Sequence, residues 1–437
     1  MDSSPPPAAL GAEDDAIAVR WPPRGATGLL RRRLLDTLAD LRGCTITLQE
    51  GDRVILLGDG AGADGQPPLT VKLRIRDADF YRQVAFNGSV GAGEAYMDGL
   101  WECDDLVTLV RILVRNRERL DAMETGTARF GGWLMRLAHA LSRNSRRGSR
   151  RNIAAHYDLG NPLFRLFLDD NLMYSSALYR DAGDTLEIAS VRKLERICAK
   201  LDLRPGHHVI EIGTGWGGFA LHAATRHGCR VTTTTISREQ HALATARIAK
   251  AGLQDRVAVL LQDYRDLQGR YDRLVSIEMI EAIGPHYLDT YFGKVGRLLK
   301  EDGMALIQAI TIEDHRYARA LKSVDFIQRH IFPGSFIPSV AAMTGAIARA
   351  SDLRLFNLED IGPSYARTLR AWRDRFMARL PEVRQLGYDE RFIRMWEFYL
   401  CYCEGGFLER SIGDAQLWLT KPGARPDQFA PSIGAET

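Results

Sequence analysis

The chain has 437 residues, 45% of them apolar and 8% aromatic, which is the profile of a globular protein of two or three domains. Its 58 basic and 55 acidic residues leave a net charge of +3, so overall charge gives no support for an obligate nucleic-acid binder. No apolar run reaches the length of about 20 residues that a spanning helix needs. The first residues lack the basic and apolar regions of a secretory signal, and we expect a cytoplasmic protein. The six scattered cysteines include no C-x-x-C pair, which argues against a disulfide framework and against a metal site.

The N-terminal third predicts a disordered arm followed by a small domain. Residues 1–27 are rich in Pro, Ala, Gly and acids and show little apolar periodicity. Beyond them, alternating apolar and polar residues predict half-buried strands between helices, so we interpret 28–115 as a small α+β domain. Its predicted elements are a basic helix, three strands and a longer helix: 29–41, 45–48, 54–57, 69–75 and about 90–115.

Residues 116–152 are interpreted as a helical and basic linker. Within them, 143–151 reads RNSRRGSRR and offers no apolar side chain to bury. A solvated hinge and a contact with an anionic membrane, worth about 1 kcal/mol per basic residue near the surface, are both compatible with it. The sequence leaves the two interpretations open.

The remainder, 153–437, predicts an α/β domain with a mainly parallel sheet and helices on both faces. Strand and helix patterns alternate from residue 205 onward. Helical insertions over about 313–350 and 363–411 lie beside the strand ends, where a lid over a substrate would lie. The predicted strands are 208–212, 230–235, 257–261, 273–276, 304–311, 353–358 and 416–420, and the predicted helices between the first five are 218–227, 239–251 and 286–299.

A glycine-rich turn follows the first of these strands in the segment EIGTGWGG, 211–218. Its glycines fit G-x-G-x-x-G, which alone would indicate a dinucleotide with its pyrophosphate at the helix N-terminus. A dinucleotide site should carry an acid about 20 residues later, but the second strand ends in TTTTIS, 232–237, which contains none. By contrast, the Glu-x-Gly-x-Gly pattern that begins at Glu211 resembles the first motif of S-adenosylmethionine (SAM)-dependent methyltransferases, in which this acid helps to hold the methionine end of the cofactor. The resemblance favours SAM over NAD.

With these motifs in view, the catalytic half resembles the cyclopropane-fatty-acyl-phospholipid synthases and the mycolic acid cyclopropane synthases. The resemblance implies a class I SAM-methyltransferase domain with a Rossmann-like fold. The stretch 81–99 is similar to the N-terminal domain of the longer synthases, which is thought to present lipid. The ordered motifs are HYDLGN at 156–161, MYSSA at 173–177, EIGTGWGG at 211–218, TISREQ at 235–240, SIEMIE at 276–281 and IFPG at 331–334.

The resemblance also implies the residues that contact SAM. Taken singly, several of them could equally be core aromatics or exposed polar residues, and the ordered set carries the assignment. The implied contacts are Tyr174, Ser175, Glu211, Gly213, Gly215, Trp216, Thr235, Ile236, Gln240, Asp263 and Tyr264.

In such enzymes an isolated double bond attacks the sulfonium methyl of SAM, and a base then removes a proton from the transferred methyl group. The resemblance implies that this base is a bound bicarbonate. Its expected ligands are the Ser176 amide, Glu281, Gln308, the Ile310 amide and Tyr365. Ser176 stands where the family has Cys, and Gln308 stands where it has His. Gln can donate to an anion but cannot carry charge near pH 7.

We therefore expect SAM-dependent transfer of a one-carbon unit to the cis double bond of an unsaturated phospholipid chain, with cyclopropane as the product. A methyl- or methylene-branched product and a lipid-binding protein without turnover are the alternatives. The expected partner is phospholipid at the inner face of the membrane, with peripheral association, and a homodimer is compatible with the family. The aromatic segment 396–407 is compatible with core packing or with the wall of an acyl tunnel.

Overall fold

The computed structural model describes residues 21–62, 65–123 and 160–427, without the side chains of 121–123. In its N-terminal part, a four-stranded sheet has the order β2-β1-β3-β4, with β1 parallel to β3 and the other pairs antiparallel. Burial alternates along β1 and β3, so one face of this sheet is covered. The elements are α1 Gly25–Ala39, β1 Cys44–Glu50, β2 Arg53–Leu57, β3 Leu69–Ile75, α2 Asp79–Met97, β4 Trp101–Cys103, α3 Leu106–Arg115 and α4 Arg117–Met123.

The predicted arm stays a prediction, because residues 1–20 lie outside the described residues, although α1 already begins at Gly25. One prediction for this part is wrong. The helix predicted over about 90–115 is two helices separated by β4, because α2 ends before Gly99, whose φ of +73° does not continue a helix. The second helix then starts at its own cap, since the Asp105 side chain accepts a hydrogen bond from the Thr108 amide.

The C-terminal part is built on a seven-stranded sheet of order β10-β11-β9-β8-β5-β6-β7. Strands β5 to β9 pair in parallel, whereas β11 is antiparallel to both β9 and β10. The strand and helix predictions here are confirmed, with ends shifted by a few residues. The elements are α5 Asn161–Phe167, α6 Leu186–Lys200, β5 His208–Ile212, α7 Gly218–His227, β6 Arg230–Thr235, α8 Arg238–Lys250, β7 Val257–Leu261, β8 Tyr271–Ile277, α9 Leu288–Leu298, β9 Leu299–Ile312, α10 Asp314–Ala320, α11 Val340–Ala350, β10 Arg354–Asp360, α12 Gly362–Ala378, α13 Leu380–Gln385, α14 Glu390–Leu408 and β11 Ile412–Thr420.

Helix α14 joins the two parts of the molecule, since it packs against α2 and α3 on one side and α12 on the other. Tyr96 of α2 donates a hydrogen bond to Glu397 at 2.8 Å. Glu409, just after α14, accepts from Arg111 and Arg115 of α3, each at 2.7 Å. The N-terminal helices are therefore packed and hydrogen bonded against the last helix of the catalytic part.

Across the residues described, none of the helices combines the length and apolarity needed to cross a bilayer.

The close approach of α14 to α3 depends on Gly405. A Cβ atom at this position would lie 2.6 Å from Cγ1 of Val110. Because a packed interface cannot absorb added carbons cheaply, Gly405→Val should lower the free energy of unfolding by about 1–3 kcal/mol. Gly206→Ala is the matched control, since nothing lies within 4 Å of a Cβ there. Urea denaturation followed by circular dichroism measures both, and an unchanged midpoint for Gly405→Val would contradict the packing described.

Candidate active site

A cavity of about 780 Å³ lies beyond the carboxyl ends of β5, β6, β7 and β8. This edge of a parallel sheet is where α/β proteins bind their ligands, and the volume is that of a cofactor or substrate pocket. Both helical insertions line it, as do residues 87–90 in α2 and Val110 and Val114 of α3. The N-terminal part therefore contributes to the wall of the same cavity.

The glycine turn after β5 forms one side of the cavity. Gly213, Gly215 and Gly217 have φ values of +101°, +51° and +84°, which side chains disfavour. A Cβ on Gly218 would lie 2.5 Å from Sδ of Met173, so this residue has no room for a side chain. At Gly215 nothing lies within 4 Å of an added Cβ. The turn therefore leaves open space beside its backbone, as a bound ligand requires.

Glu211 supplies a direct test of whether the residues suit SAM. Its side chain is buried at the end of β5, and its Oε2 has no hydrogen-bond partner among the described residues. Burial raises the pKa of Glu211 to about 8. A buried carboxylate oxygen without a partner is costly unless a ligand satisfies it. The ammonium of the methionine end of SAM is a donor of the right charge, so these residues fit the cofactor.

The other predicted cofactor residues from β6 and β7 also line the cavity. Thr235 donates to Oε1 of Gln240 at 2.8 Å, which fixes that amide at the start of α8. Ile236 follows Thr235 on the wall. Asp263 is held by Arg265 through hydrogen bonds of 2.7 and 2.8 Å, and Tyr264 is beside it. All of these residues line the same cavity as the glycine turn, and their contact with SAM stays a prediction.

The predicted residues from the segment before α6 approach from the opposite side. The Tyr174 hydroxyl lies 2.9 Å from that of Tyr399, and Nζ of the buried Lys193 donates to Oγ of Ser175 at 2.8 Å. Trp216 is buried and donates through Nε1 to Oδ1 of Asn161 at 2.7 Å. Residues 156–159, the rest of that motif, lie outside the described residues.

The centre of the polar wall is Glu278, at the end of β8. Its Oε1 accepts from the Ser176 amide and from Nε2 of Gln308, each at 2.8 Å. Its Oε2 accepts from the Tyr365 hydroxyl at 2.7 Å. The three donors that the resemblance assigns to bicarbonate thus all donate to one protein carboxylate. Glu278 and Tyr365 line the cavity, whereas Ser176 and Gln308 are fully buried behind them.

The remaining two candidate residues meet separately. The Ile310 amide donates to Oε1 of Glu281 at 2.6 Å. Oε2 of Glu281 is buried and has no hydrogen-bond partner among the described residues. Burial, and next the charge of Glu278, raises the pKa of Glu281 to about 8. Glu281 therefore holds a proton in most molecules near neutral pH and can donate into the cavity.

A buried polar layer supports Glu278 from behind. Gln308 also donates to Oδ2 of Asp414 at 2.9 Å, and its own Oε1 accepts from Gln416 at 3.2 Å. Burial, followed by the charges of Glu278 and Glu281, holds the pKa of Asp414 well above its ordinary value. Hydrogen bonds to Glu278, Asp414 and Gln416 thus fix the side-chain amide of Gln308.

Sequence reasoning overlooked Glu278, Lys193 and Asp414. Glu278 carried a usable signal, because an acid directly after a buried parallel strand faces the ligand edge of the sheet. Lys193 and Asp414 carried none, since a lysine inside an amphipathic helix and an acid entering an edge strand usually face solvent.

The C-terminal aromatic segment contributes side chains both to the core and to the wall of the cavity. Trp396 and Leu400 are buried in the core. Tyr399 and Phe407 line the cavity, and Phe407 stacks on Tyr365 with ring centroids 4.4 Å apart. Aromatic faces therefore stand beside the carboxylates.

One group of metal-type side chains lies apart from the cavity lining. Ligand atoms of Cys198, His222 and His227 lie within 4.8 Å of one another, and Glu195 contacts both histidines at about 3 Å. The expectation that the protein has no metal site stays a prediction.

Comparison with known proteins gives the same assignment as the geometry. Residues 144–417 match the family model of mycolic acid cyclopropane synthetase. The chain is 35% identical over 435 residues to the tuberculostearic acid methyltransferase UfaA1 of Mycobacterium tuberculosis (strain ATCC 25618 / H37Rv), covering 97% of this chain and 99% of that protein. It is 40% identical over 365 residues to the cyclopropane-fatty-acyl-phospholipid synthase of Escherichia coli (strain K12), covering 82% and 89%.

Among solved structures, mycolic acid cyclopropane synthase CmaA1 complexed with SAH and CTAB superposes with a TM-score of 0.58 at 30% identity, covering 62% of this chain and 98% of that one. The fold, the glycine turn and the buried acid at the end of β5 define a SAM-dependent methyltransferase. The chain belongs to the mycolic acid cyclopropane synthetase family, and SAM is its cofactor.

Glu211 offers a test that separates cofactor binding from folding. Glu211→Gln should weaken SAM binding about 10- to 100-fold, because it removes a charged hydrogen bond. The same change should stabilise the cofactor-free protein. Because the pKa of Glu211 in the folded protein lies near 8, ionising this carboxyl lowers the free energy of unfolding as the pH rises from about 5 to 8. Gln does not titrate, so the variant escapes this loss.

The advantage of Glu211→Gln in thermal midpoint should therefore grow over that pH range. Calorimetric titration with SAM and thermal melts at several pH values measure the two effects. Glu102→Gln, a partly exposed residue that pairs with Arg76 and does not line the cavity, is the control for both. Unaltered SAM affinity in Glu211→Gln would contradict the cofactor assignment.

Proposed function

We propose that the protein transfers a one-carbon unit from SAM to the cis double bond of an unsaturated phospholipid acyl chain and closes a cyclopropane ring. One observation carries this proposal: a single cavity joins the cofactor turn to a buried carboxylate cluster and an aromatic wall. A polar methyl acceptor would need side chains that hydrogen bond to it. An alkene instead needs an apolar channel that excludes water, and a base.

The aromatic wall suits the chemistry that an alkene requires. An isolated double bond is a weak nucleophile, so it must be held in line with the methyl group that SAM supplies. The cation formed on the chain would react with water, and the cavity must exclude it. Tyr399, Phe407 and Tyr365 offer ring faces that can stabilise a cation by their quadrupoles.

The cavity lining also includes basic side chains that suit a phospholipid headgroup. They are Arg117 of α4, Arg316 and Arg319 of α10, and Lys322. Four cations and several aromatic side chains on the wall of one cavity match an anionic headgroup joined to an apolar chain. This arrangement supports peripheral binding to the inner face of the membrane, where anionic lipids attract basic residues.

A methyl- or methylene-branched product is the second candidate, and two observations favour it. The UfaA1 match extends over nearly the whole chain, including the N-terminal part. The side chain at the expected His position is Gln308, so the surroundings of the base differ from those the resemblance implies. A hydride shift before proton removal would leave a branch in place of a ring.

The product decides between these candidates. Purified protein is incubated with SAM and vesicles of mono-unsaturated phosphatidylglycerol, and the released acyl chains are examined by proton NMR. Upfield cyclopropyl signals are the expected result. Exomethylene or branched-methyl signals would establish the second candidate, and unchanged lipid with SAM bound would leave a lipid-binding protein without turnover.

The basic side chains of the cavity lining give a separate prediction. The double variant Arg319→Gln, Lys322→Gln should raise the apparent KM for anionic vesicles about 10- to 30-fold at low salt, because each basic residue near the surface contributes about 1 kcal/mol. The effect should shrink as salt rises. The matched control is Arg226→Gln, Lys250→Gln, two exposed cations that do not line the cavity. Equal KM values for the two double variants would refute the headgroup assignment.

A further inference from the structure

Glu278 sits where the proposed reaction needs a base. We propose that the Glu278 carboxylate itself accepts the proton from the transferred methyl carbon, so that the enzyme works without bicarbonate. This inference rests on the proposed function, and it adds a catalytic residue that the resemblance does not supply.

The first argument is the geometry of the donors. The Ser176 amide, the Gln308 side chain and the Tyr365 hydroxyl come from distant parts of the chain and converge on one carboxylate at 2.7–2.8 Å. Bicarbonate and a carboxylate are both planar groups with oxygens on one carbon. Donors already satisfied by Glu278 have no capacity left for a second anion of the same shape.

The second argument is the backbone. Glu278 has a φ of +48°, a left-handed conformation that costs a non-glycine residue roughly 1–2 kcal/mol. Such strain persists where the surrounding contacts require it, and it concentrates at active sites. Here the three donors hold the side chain against the cavity wall and maintain the strained conformation.

The third argument is charge. Each of the three hydrogen bonds favours the ionised form of Glu278, and the charge of the buried Lys193 favours it as well. Burial acts in the opposite direction and raises the pKa of Glu278, which makes the carboxylate a stronger base than an exposed one. Glu281 accepts a hydrogen bond from the Ile310 amide, and burial raises its pKa to about 8, so it is mostly protonated near pH 7 and is the poorer candidate.

The step balances without any further reagent. The alkene electron pair forms a carbon–carbon bond to the methyl group as the sulfur–carbon bond breaks, which leaves a cation on the neighbouring chain carbon. Glu278 takes a proton from the new methyl group. The electron pair of that C–H bond closes the ring on the cationic carbon, and the neutral Glu278 returns its proton to solvent after product release.

Two substitutions at the same position test the assignment. Glu278→Gly removes the carboxylate, frees the three donors and suits the positive φ, so the fold should be kept. Glu278→Gln keeps the volume but supplies no base. We expect wild-type turnover to be unchanged in buffer freed of dissolved carbon dioxide, and both variants to lose about 100-fold or more.

Added bicarbonate at millimolar concentration should then restore at least tenfold turnover to Glu278→Gly and none to Glu278→Gln. Line broadening of ¹³C-bicarbonate in NMR should report binding by the Gly variant alone, independently of turnover. SAM affinity by calorimetry checks that each variant is folded, and Glu102→Gln should match the wild type throughout.

Two results would overturn the assignment while leaving the proposed function intact: wild-type turnover that requires bicarbonate, or Glu278→Gln turnover within threefold of the wild type. A wild-type protein that binds SAM but changes no unsaturated lipid would instead remove the proposed function, and this inference with it.

Discussion

The structure of the site depends on the burial of one carboxylate, that of Glu278. A charge taken out of water is tolerated only when hydrogen bonds replace its hydration. The replacing groups come from the loop before α6, from β9 and from α12. These three segments are far apart in sequence. The hydrogen bonds to Glu278 therefore fix how α12 and the loop before α6 meet the sheet. The same contacts place the aromatic ring of Tyr365 on the cavity wall against Phe407.

A second consequence concerns the charge of the buried ionisable groups around the cavity. Burial raises the pKa of Glu211 and Glu281 to about 8 and lowers the pKa of Lys193 to about 8. Without ligands, the two carboxyl groups are therefore mostly neutral at physiological pH, whereas Lys193 is mostly protonated and charged. A cationic cofactor beside Glu211 would favour its ionised form, which couples cofactor binding to the protonation state of the site. The cavity is thus suited to receive a positive group and to stabilise a positive charge that forms later.

The sequence predicted the parallel part of the fold well because its signals are local. Helix α7 has its predicted bounds, since a glycine turn precedes it and Gly228 ends it. The prediction of one helix over 90–115 is wrong because β4, which interrupts it, is a three-residue strand and too short to produce an alternating pattern. For the site, the ordered motifs led to fourteen of sixteen candidate residues on one cavity, the exceptions being Ser176 and Gln308 behind its wall. The motifs could not predict where one side chain, that of Glu278, would lie. Glu278 and Glu281 lie three residues apart in one motif, and only the left-handed backbone at Glu278 directs its carboxylate to the three donors.

The central claim is that a base beside the cofactor removes a proton from the transferred methyl group. The most direct measurement uses SAM with a fully deuterated methyl group, mono-unsaturated phospholipid vesicles and mass spectrometry of the isolated acyl product. Our account predicts that the product retains two of the three deuterium atoms, because one is lost to the base. Retention of all three would show that the proton leaves from the acyl chain instead, and it would contradict the role assigned to this cluster.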